Sequence, residues 1–154
     1  MGPSLSLTRV AGLVGGLSLV AAFFMPWFSS QSLLLSGQFL HNFLSSATAS
    51  DLRTFLPNSS PTEVQLLRLL VDLFPVCGAI AAAAALIGGL TRTTFRLVTS
   101  VVWGLSGGIC LVAWASGVGR LPTGSNPEIG LWLIGVGSLL ILASLVLEIR
   151  AGTD

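Results

Sequence analysis

Four apolar segments, each close to the length that a helix needs to cross a membrane, account for most of this chain. They cover about Leu7–Phe28, Leu66–Leu90, Phe95–Val118 and Ile129–Ile149. About 20 helical residues span the roughly 30 Å hydrocarbon core of a bilayer. A helix also satisfies its own backbone hydrogen bonds, which lipid cannot do. We therefore predict an all-α integral membrane protein, with residues 1–154 forming a single four-helix transmembrane domain.

The first segment is also compatible with a secretory signal peptide, because Arg9 precedes part of its apolar run. However, the run ends in bulky residues, Phe23, Phe24, Met25 and Trp27, and has no small-residue cleavage site. This ending favours an uncleaved helix. Pro26 has no N–H group to donate and is expected to end that helix. Trp27 is expected at the membrane–water interface, with its ring in the headgroups and its N–H in water.

Charge supports the membrane assignment and indicates an orientation. Only 8% of the residues are charged, against about 25% in soluble domains. The net charge of +1 gives no electrostatic basis for binding nucleic acid. The side with both termini would hold four arginines, against three on the other side: Arg9, Arg92, Arg96 and Arg150 against Arg53, Arg68 and Arg120. The positive-inside bias then places both termini in the cytoplasm, most simply across a bacterial plasma membrane.

The long loop 29–61 that follows the first segment would lie outside the cell. Within it Phe39, Leu40, Phe43 and Leu44 recur at helical spacing, which predicts a short amphipathic helix on the bilayer surface or against a partner. Ser50–Asp51 is expected to begin a further turn. The sequence SPTE at Ser60–Glu63 is a capping box, which predicts that the second spanning helix begins early and projects outward.

Few side chains suggest chemistry. Arg68 and Asp72 stand four residues apart and form either an intrahelical ion pair near the headgroups or an ionisable site. His41 is the single histidine and is either hydrogen-bonded or a ligand of a metal, a haem or a pigment. The middle of every span lacks Asp, Glu, Lys, Arg and His, which argues against a transporter or proton pump. We find no catalytic constellation and predict that the protein is not an enzyme.

Cys77 and Cys110 are nearly equidistant from the loop that joins the second and third spans, so they are expected at similar depth in the membrane. Two interpretations follow, a redox pair or two small packing groups. Small residues are numerous in the spans and allow helices to approach closely. They serve either internal packing or docking onto a partner: Gly12, Gly16, Gly78, Ala82, Gly104 and Gly108, with Gly130, Gly135 and Gly137 in the fourth span.

The first span ends in MPWF, and LLLSG follows after a polar break. This pattern resembles small bacterial four-helix membrane proteins whose first helix ends in a Pro-Trp pair. That group shares no assigned chemistry, so the resemblance implies a tetraspan membrane fold and no activity. One long outer loop after the first helix is also similar to the topology of claudins. The loop lacks the paired cysteines and the Trp-Gly-Leu-Trp stretch of claudins.

We therefore expect a non-catalytic accessory subunit of a larger membrane complex. It would contact membrane lipids and either other membrane subunits or further copies of itself, through its small-residue helix faces and its apolar outer loop. The alternative is a protein that holds a lipid, a quinone or a pigment beneath the outer loop. In that case Trp27, Phe39, Phe43 and His41 are the expected contacts.

Overall fold

The computed structural model describes residues 6–30, 33–48, 50–52, 60–87, 94–119 and 125–150. Within these ranges the chain forms four long helices, one shorter helix, a helical turn at 50–52 and three short strands. In chain order they are α1 (Leu7–Phe24), β1 (Pro26–Ser30), β2 (Leu33–Ser36), α2 (Gly37–Ser46), α3 (Pro61–Ile87), α4 (Thr94–Val118), β3 (Asn126–Pro127) and α5 (Ile129–Arg150). The four long helices are each long and apolar enough to cross a membrane. This confirms the predicted all-α four-helix membrane bundle.

Helix α1 ends at Phe24, earlier than the predicted end at Phe28. Met25 has an extended backbone, with φ −85° and ψ 154°. The ring of a proline disfavours helical geometry in the residue before it, which explains why Met25 leaves the helix. The last residues of the predicted span, Pro26 to Phe28, belong instead to strand β1 (Pro26–Ser30).

Helix α3 begins at Pro61, as the capping box predicted. The Ser60 backbone N–H donates to Glu63 Oε2 at 2.7 Å, and the Glu63 backbone N–H donates to Ser60 Oγ at 3.3 Å. These two bonds satisfy backbone donors that the first turn of a helix leaves unpaired. The helix continues through Pro75 to Ile87, and the predicted end at Leu90 lies outside the described residues.

The bundle is organised around α1, which packs most extensively against α5 and α3. Helix α4 packs against α5, and its contact with α3 is smaller. The centre holds fully buried side chains from every long helix, among them Leu19, Val71, Trp103, Ile134 and Ile141. The outward faces are apolar too, as expected where lipid replaces water; they include Val14, Leu17, Ile80, Val101, Leu105, Val136 and Leu139.

Trp103 connects three of the long helices. It belongs to α4 and is 1% exposed, and its indole N–H donates to the Ala81 carbonyl oxygen of α3 at 3.2 Å. Its ring also lies against Gly12 of α1, where an added Cβ would come within 2.7 Å of Cζ2. Gly12 is therefore required inside the bundle, because any side chain there would collide with the indole.

A small antiparallel sheet, with strand order β2-β1-β3, lies at the end of the bundle where α1 ends and α5 begins. Phe28 in the middle strand is opposite both Leu35 of β2 and Pro127 of β3. The Glu128 backbone N–H donates to the Trp27 carbonyl oxygen at 2.8 Å, next to this pairing. The sheet thus joins the segment after α1 to the segment before α5. We refer to β1, β2, α2 and β3 together as the cap.

Candidate functional site

Most of the small residues that the sequence suggested for docking lie between helices of the bundle. A Cβ on Gly16 would lie 2.5 Å from the Gly78 carbonyl oxygen and 2.7 Å from the Ala82 backbone nitrogen. A Cβ on Gly104 would lie 3.3 Å from Leu145 Cδ2. The glycines of α5 and their neighbour in α1 are also in contact with other elements: Gly15, Gly130, Gly135 and Gly137. These positions serve internal packing, so they do not form the predicted partner interface.

Gly108 is different, because an added Cβ there would meet no described atom within 4 Å. The same holds for Gly117, which lies beside the end of α4, where small residues are common. Gly108 lies near the centre of α4, on a face whose other side chains are large, apolar and exposed. Those neighbours are Leu97, Val101, Leu105, Ile109 and Val112. The result is a notch in an apolar helix face that points away from the bundle.

A side-chain contact links α2 of the cap to α3 of the bundle. His41 Nδ1 of α2 and Asp72 Oδ1 of α3 are 2.5 Å apart, and both side chains are partly exposed. The predicted ion pair between Arg68 and Asp72 is not formed. The reason is that packing of α2 against α3 brings the imidazole to the carboxylate. His41 also lies edge-on to Phe23, with ring centroids 6.2 Å apart.

Trp27 is buried in the base of the cap. Its indole N–H was expected in water from the sequence, but the N–H lies inside the protein. Trp27 is 6% exposed, and its indole N–H donates to the Ala22 carbonyl oxygen at 2.7 Å. Its ring meets Phe74 of α3 edge-on at 5.5 Å, and Gly37 lies directly against it. The indole is therefore a packing group between α1, α2 and α3.

The inward face of α2 differs from the predicted one. Leu44 is buried, and Leu40 and Phe43 are partly buried against the core, in agreement with the sequence pattern. Phe39 is 44% exposed and stacks on Phe43 with a centroid separation of 6.2 Å. His41 takes part in the inward face because Asp72 is its partner there. Two further apolar side chains of the cap are exposed, Leu33 and Leu34 of β2.

Residues 50–52 are helical, and Thr48 supports this turn. The Thr48 hydroxyl donates to Asp51 Oδ2 at 2.6 Å, and the Thr48 backbone N–H donates to the same oxygen at 2.9 Å. The hydroxyl bond and then the backbone bond hold the pKa of Asp51 below its ordinary value of 3.8. The turn is thus stabilised by an ionised carboxylate, as expected for an Asp beside unpaired backbone donors.

Cys77 of α3 and Cys110 of α4 both belong to the buried core of the bundle. Both residues are buried and neither is in a disulfide. Along the described parts of the chain, no group of three or more His, Cys, Asp or Glu side chains is placed to hold a metal ion.

A pair of tryptophans near the cap was not anticipated from the sequence. Trp114 of α4 packs on Gly135 of α5, and its ring centroid is 6.2 Å from that of Trp132. The Trp114 indole nitrogen is buried and has no hydrogen-bond partner among the described residues. Tryptophans near helix ends are typical of the interfacial aromatic belt, which was the one available signal. The chain matches no described protein family, curated protein sequence or solved structure.

Proposed function

We propose that this protein is a non-catalytic accessory subunit of a larger membrane assembly, which docks through the exposed face of α4. The observation that carries the proposal is the notch at Gly108. An added Cβ on any other glycine in the middle of the described long helices would have a neighbour within 3.4 Å, whereas on Gly108 it would have none within 4 Å. Glycine in a helix interior costs about 1 kcal/mol relative to alanine. A close-packed partner helix would account for a glycine at this position.

The surroundings of Gly108 suit a helix–helix contact within a membrane. Leu105 and Val112, one turn to either side, are 60% and 68% exposed and would flank a partner helix lying in the notch. Association between helices in lipid depends on van der Waals packing, which small residues favour by allowing backbones to approach. The partner is therefore expected to be an apolar transmembrane helix, with bulky side chains that fit the notch.

The cap supports the same proposal at the membrane surface. Leu33 and Leu34 of β2 are 59% and 64% exposed, and Phe39 of α2 is also exposed. These three apolar side chains lie exposed at the end of the bundle, where lipid headgroups or the extramembrane part of a partner would cover them. Two polar side chains of the cap are bonded within the protein: Trp27 bonds to the Ala22 carbonyl oxygen, and His41 bonds to Asp72 of α3.

Native mass spectrometry of the protein extracted from its own membranes in mild detergent tests this proposal. We expect a mass well above the 15.9 kDa of the single chain, which resolves into other membrane subunits. Gly108→Leu should abolish that assembly because it fills the notch. Ala83→Leu, at an exposed position of α3, is the matched control and should leave the assembly intact. Wild-type protein that appears only as a monomer would contradict the proposal.

A second candidate, a ligand-holding protein, is favoured by one observation. Histidines that bind a metal centre usually donate their other ring N–H to a carboxylate, which orients the ring. The contact between His41 Nδ1 and Asp72 has this form and leaves Nε2 for a haem iron or a pigment metal. An absorbing cofactor that copurifies with wild type and with Asn42→Ala, but not with His41→Ala, would support this function.

We further propose a bacterial plasma-membrane location with both termini in the cytoplasm and the cap outside. The distribution of arginines supports this orientation. A cysteine introduced at the exposed Ser45 of α2 tests it in intact cells. A membrane-impermeant maleimide should label that cysteine without permeabilisation. Labelling that requires permeabilised cells would place the cap on the cytoplasmic side.

A further inference from the structure

Helix α3 has two apolar faces. The face toward the bundle is buried and includes Val71, Phe74, Gly78 and Ala81. The outward face carries apolar side chains at alternating intervals of three and four residues, and we call it the α3 stripe: Leu66, Leu69, Leu73, Val76 and Ile80. Four of these five side chains are 49–67% exposed, and Leu73 is partly buried.

The α3 stripe extends beyond the level at which the shorter helix α1 ends. The 18 residues of α1 are about 27 Å long, close to the roughly 30 Å thickness of the hydrocarbon core, so its end at Phe24 marks the outer boundary of that core. Trp27 follows this end and packs on Phe74 of α3 with ring centroids 5.5 Å apart. Helix α3 therefore leaves the hydrocarbon near Phe74, and its beginning at Pro61 lies about 20 Å further out.

Lipid tails therefore cover only part of the α3 stripe. Val76 and Ile80 lie within the hydrocarbon, where exposed apolar side chains are ordinary. Leu69 and Leu66 lie about 8 Å and about 12 Å beyond Phe74, whereas each headgroup layer is about 5–7 Å thick. They are 67% and 55% exposed, and large apolar side chains exposed to water mark an interaction site. A single partner covers the whole stripe only if it spans the membrane and projects from it to the same height.

We propose that the α3 stripe binds the α3 stripe of a second copy of this chain, in a parallel dimer. A second copy inserted in the same orientation presents a helix of the required length at the same height. Alternating intervals of three and four residues are the repeat of a left-handed coiled coil, in which equivalent positions of two parallel helices face each other. With the exposed residues beside it, the stripe offers roughly 500 Å² per copy, so two copies would bury about 1,000 Å², the lower limit for a specific interface.

The charges of α3 are compatible with this self-association. Across a two-fold axis each residue of the stripe faces its own copy, so a charge there would repel itself. The α3 stripe contains no charged residue. Arg68 lies about 100° around the helix from Leu69, and Asp72 is bonded to His41 of its own chain. The dimer does not depend on the proposed docking through Gly108, because that residue belongs to α4.

Cysteine crosslinking in intact membranes tests the proposal. The full-length chain with Cys77→Ala and Cys110→Ala receives one new cysteine at a time and is oxidised with copper phenanthroline before extraction. Leu69→Cys should give a disulfide-linked dimer, because this position faces its own copy. Arg68→Cys is the matched control, since residue 68 is exposed at the same height but on another side of the helix, and it should remain monomeric.

Photobleaching of single labelled particles measures the association without other subunits. The purified protein is labelled at its C-terminus and reconstituted in phosphatidylcholine vesicles, where wild type should bleach in two steps. Replacing both outer leucines, Leu66→Gln and Leu69→Gln, should raise the dimer dissociation constant by about tenfold or more, because the apolar area buried between the copies is lost. Leu33→Gln with Leu34→Gln replaces two exposed leucines of β2 and should leave the constant unchanged.

Three results would overturn the proposal. Wild type that bleaches in one step at every protein-to-lipid ratio would show that lipid or a different protein covers the stripe. Equal crosslinking at positions 68 and 69 would show that the stripe is not the contact. A dimer that survives the loss of both leucines but dissociates with Gly108→Leu would place self-association on α4. Because the vesicles contain only this chain, a missing dimer leaves the docking of other subunits to be decided by its own test.

Discussion

Replacing Gly16 by alanine tests the closest approach in the bundle, where α1 crosses α3. An alanine Cβ at this position would lie 2.5 Å from the Gly78 carbonyl oxygen and 2.7 Å from the Ala82 backbone nitrogen. Both atoms belong to helix backbone and cannot rotate away. The two helices must therefore move apart, and the neighbouring contacts of the fully buried Leu19 are loosened with them.

The size of the effect follows from these distances. Ordinary contacts of a Cβ begin at 3.4 Å, so the backbones must separate by about 1 Å in a close-packed interior. Extra methyl groups in well-packed cores cost about 1–3 kcal/mol of unfolding free energy. We expect Gly16→Ala to be near the upper end of that range. Gly78→Ala should cost a similar amount, because its Cβ would lie 2.6 Å from the Gly16 carbonyl oxygen.

Gly108→Ala is the matched control, since the added methyl meets no described atom within 4 Å. Without a steric cost, it should raise the free energy of unfolding by at most about 1 kcal/mol, because alanine is the better helix former. The assay is reversible unfolding in bicelles, with the free energy measured for each variant and for the double variant Gly16→Ala/Gly78→Ala. The double variant should cost less than the sum of the singles, because one separation of the helices accommodates both methyl groups.

The reasoning would be refuted if Gly16→Ala and Gly108→Ala had equal stabilities. Equal values would mean that α1 and α3 do not approach closely at this crossing. Strict additivity of Gly16→Ala and Gly78→Ala would be a second contradiction, since it would show that the two glycines do not share one contact.

Three further substitutions test other contacts. Trp103→Phe removes the indole N–H that bonds to the Ala81 carbonyl oxygen and shrinks the side chain, so bicelle unfolding should show a loss of about 1–3 kcal/mol; an unchanged free energy would contradict the bond. His41→Ala should release α2 from Asp72, and faster amide hydrogen exchange across α2, with α4 unaffected, would show it. Ser60→Ala should weaken the start of α3 by about 1 kcal/mol, and equal exchange in its first turn would argue against the capping box.

The spans could be predicted from the sequence because a membrane requires long, self-satisfied apolar helices. The start of α3 was equally predictable, since a capping box is a local pattern whose partners lie within one turn. The end of α1 was placed too late because Trp27 and Phe28 continue the apolar run beyond the proline. Its pairing with β3 depends on residues that lie in a distant part of the chain.

The contacts that define the candidate sites depend on tertiary packing, which local spacing does not reveal. Asp72 was paired with Arg68 because they lie one turn apart, whereas its partner His41 comes from α2. Gly16 and Gly108 belong to the same kind of GxxxG pattern, yet one is enclosed and the other open. Which side of a helix faces its neighbours is decided by how the helices are arranged, and the sequence pattern is the same in both cases.

The sheet in the cap has a mechanical consequence for the bundle. Strands β1 and β3 fasten the end of α1 to the beginning of α5, and Gly130 lies directly against the Met25 and Pro26 carbonyl oxygens. When α1 and α5 tilt relative to each other, their ends at the cap therefore stay together. Any separation of α1 from α5 grows with distance from the cap and is largest between the beginning of α1 and the end of α5. A partner that acts at those two helix ends would have the longest lever arm.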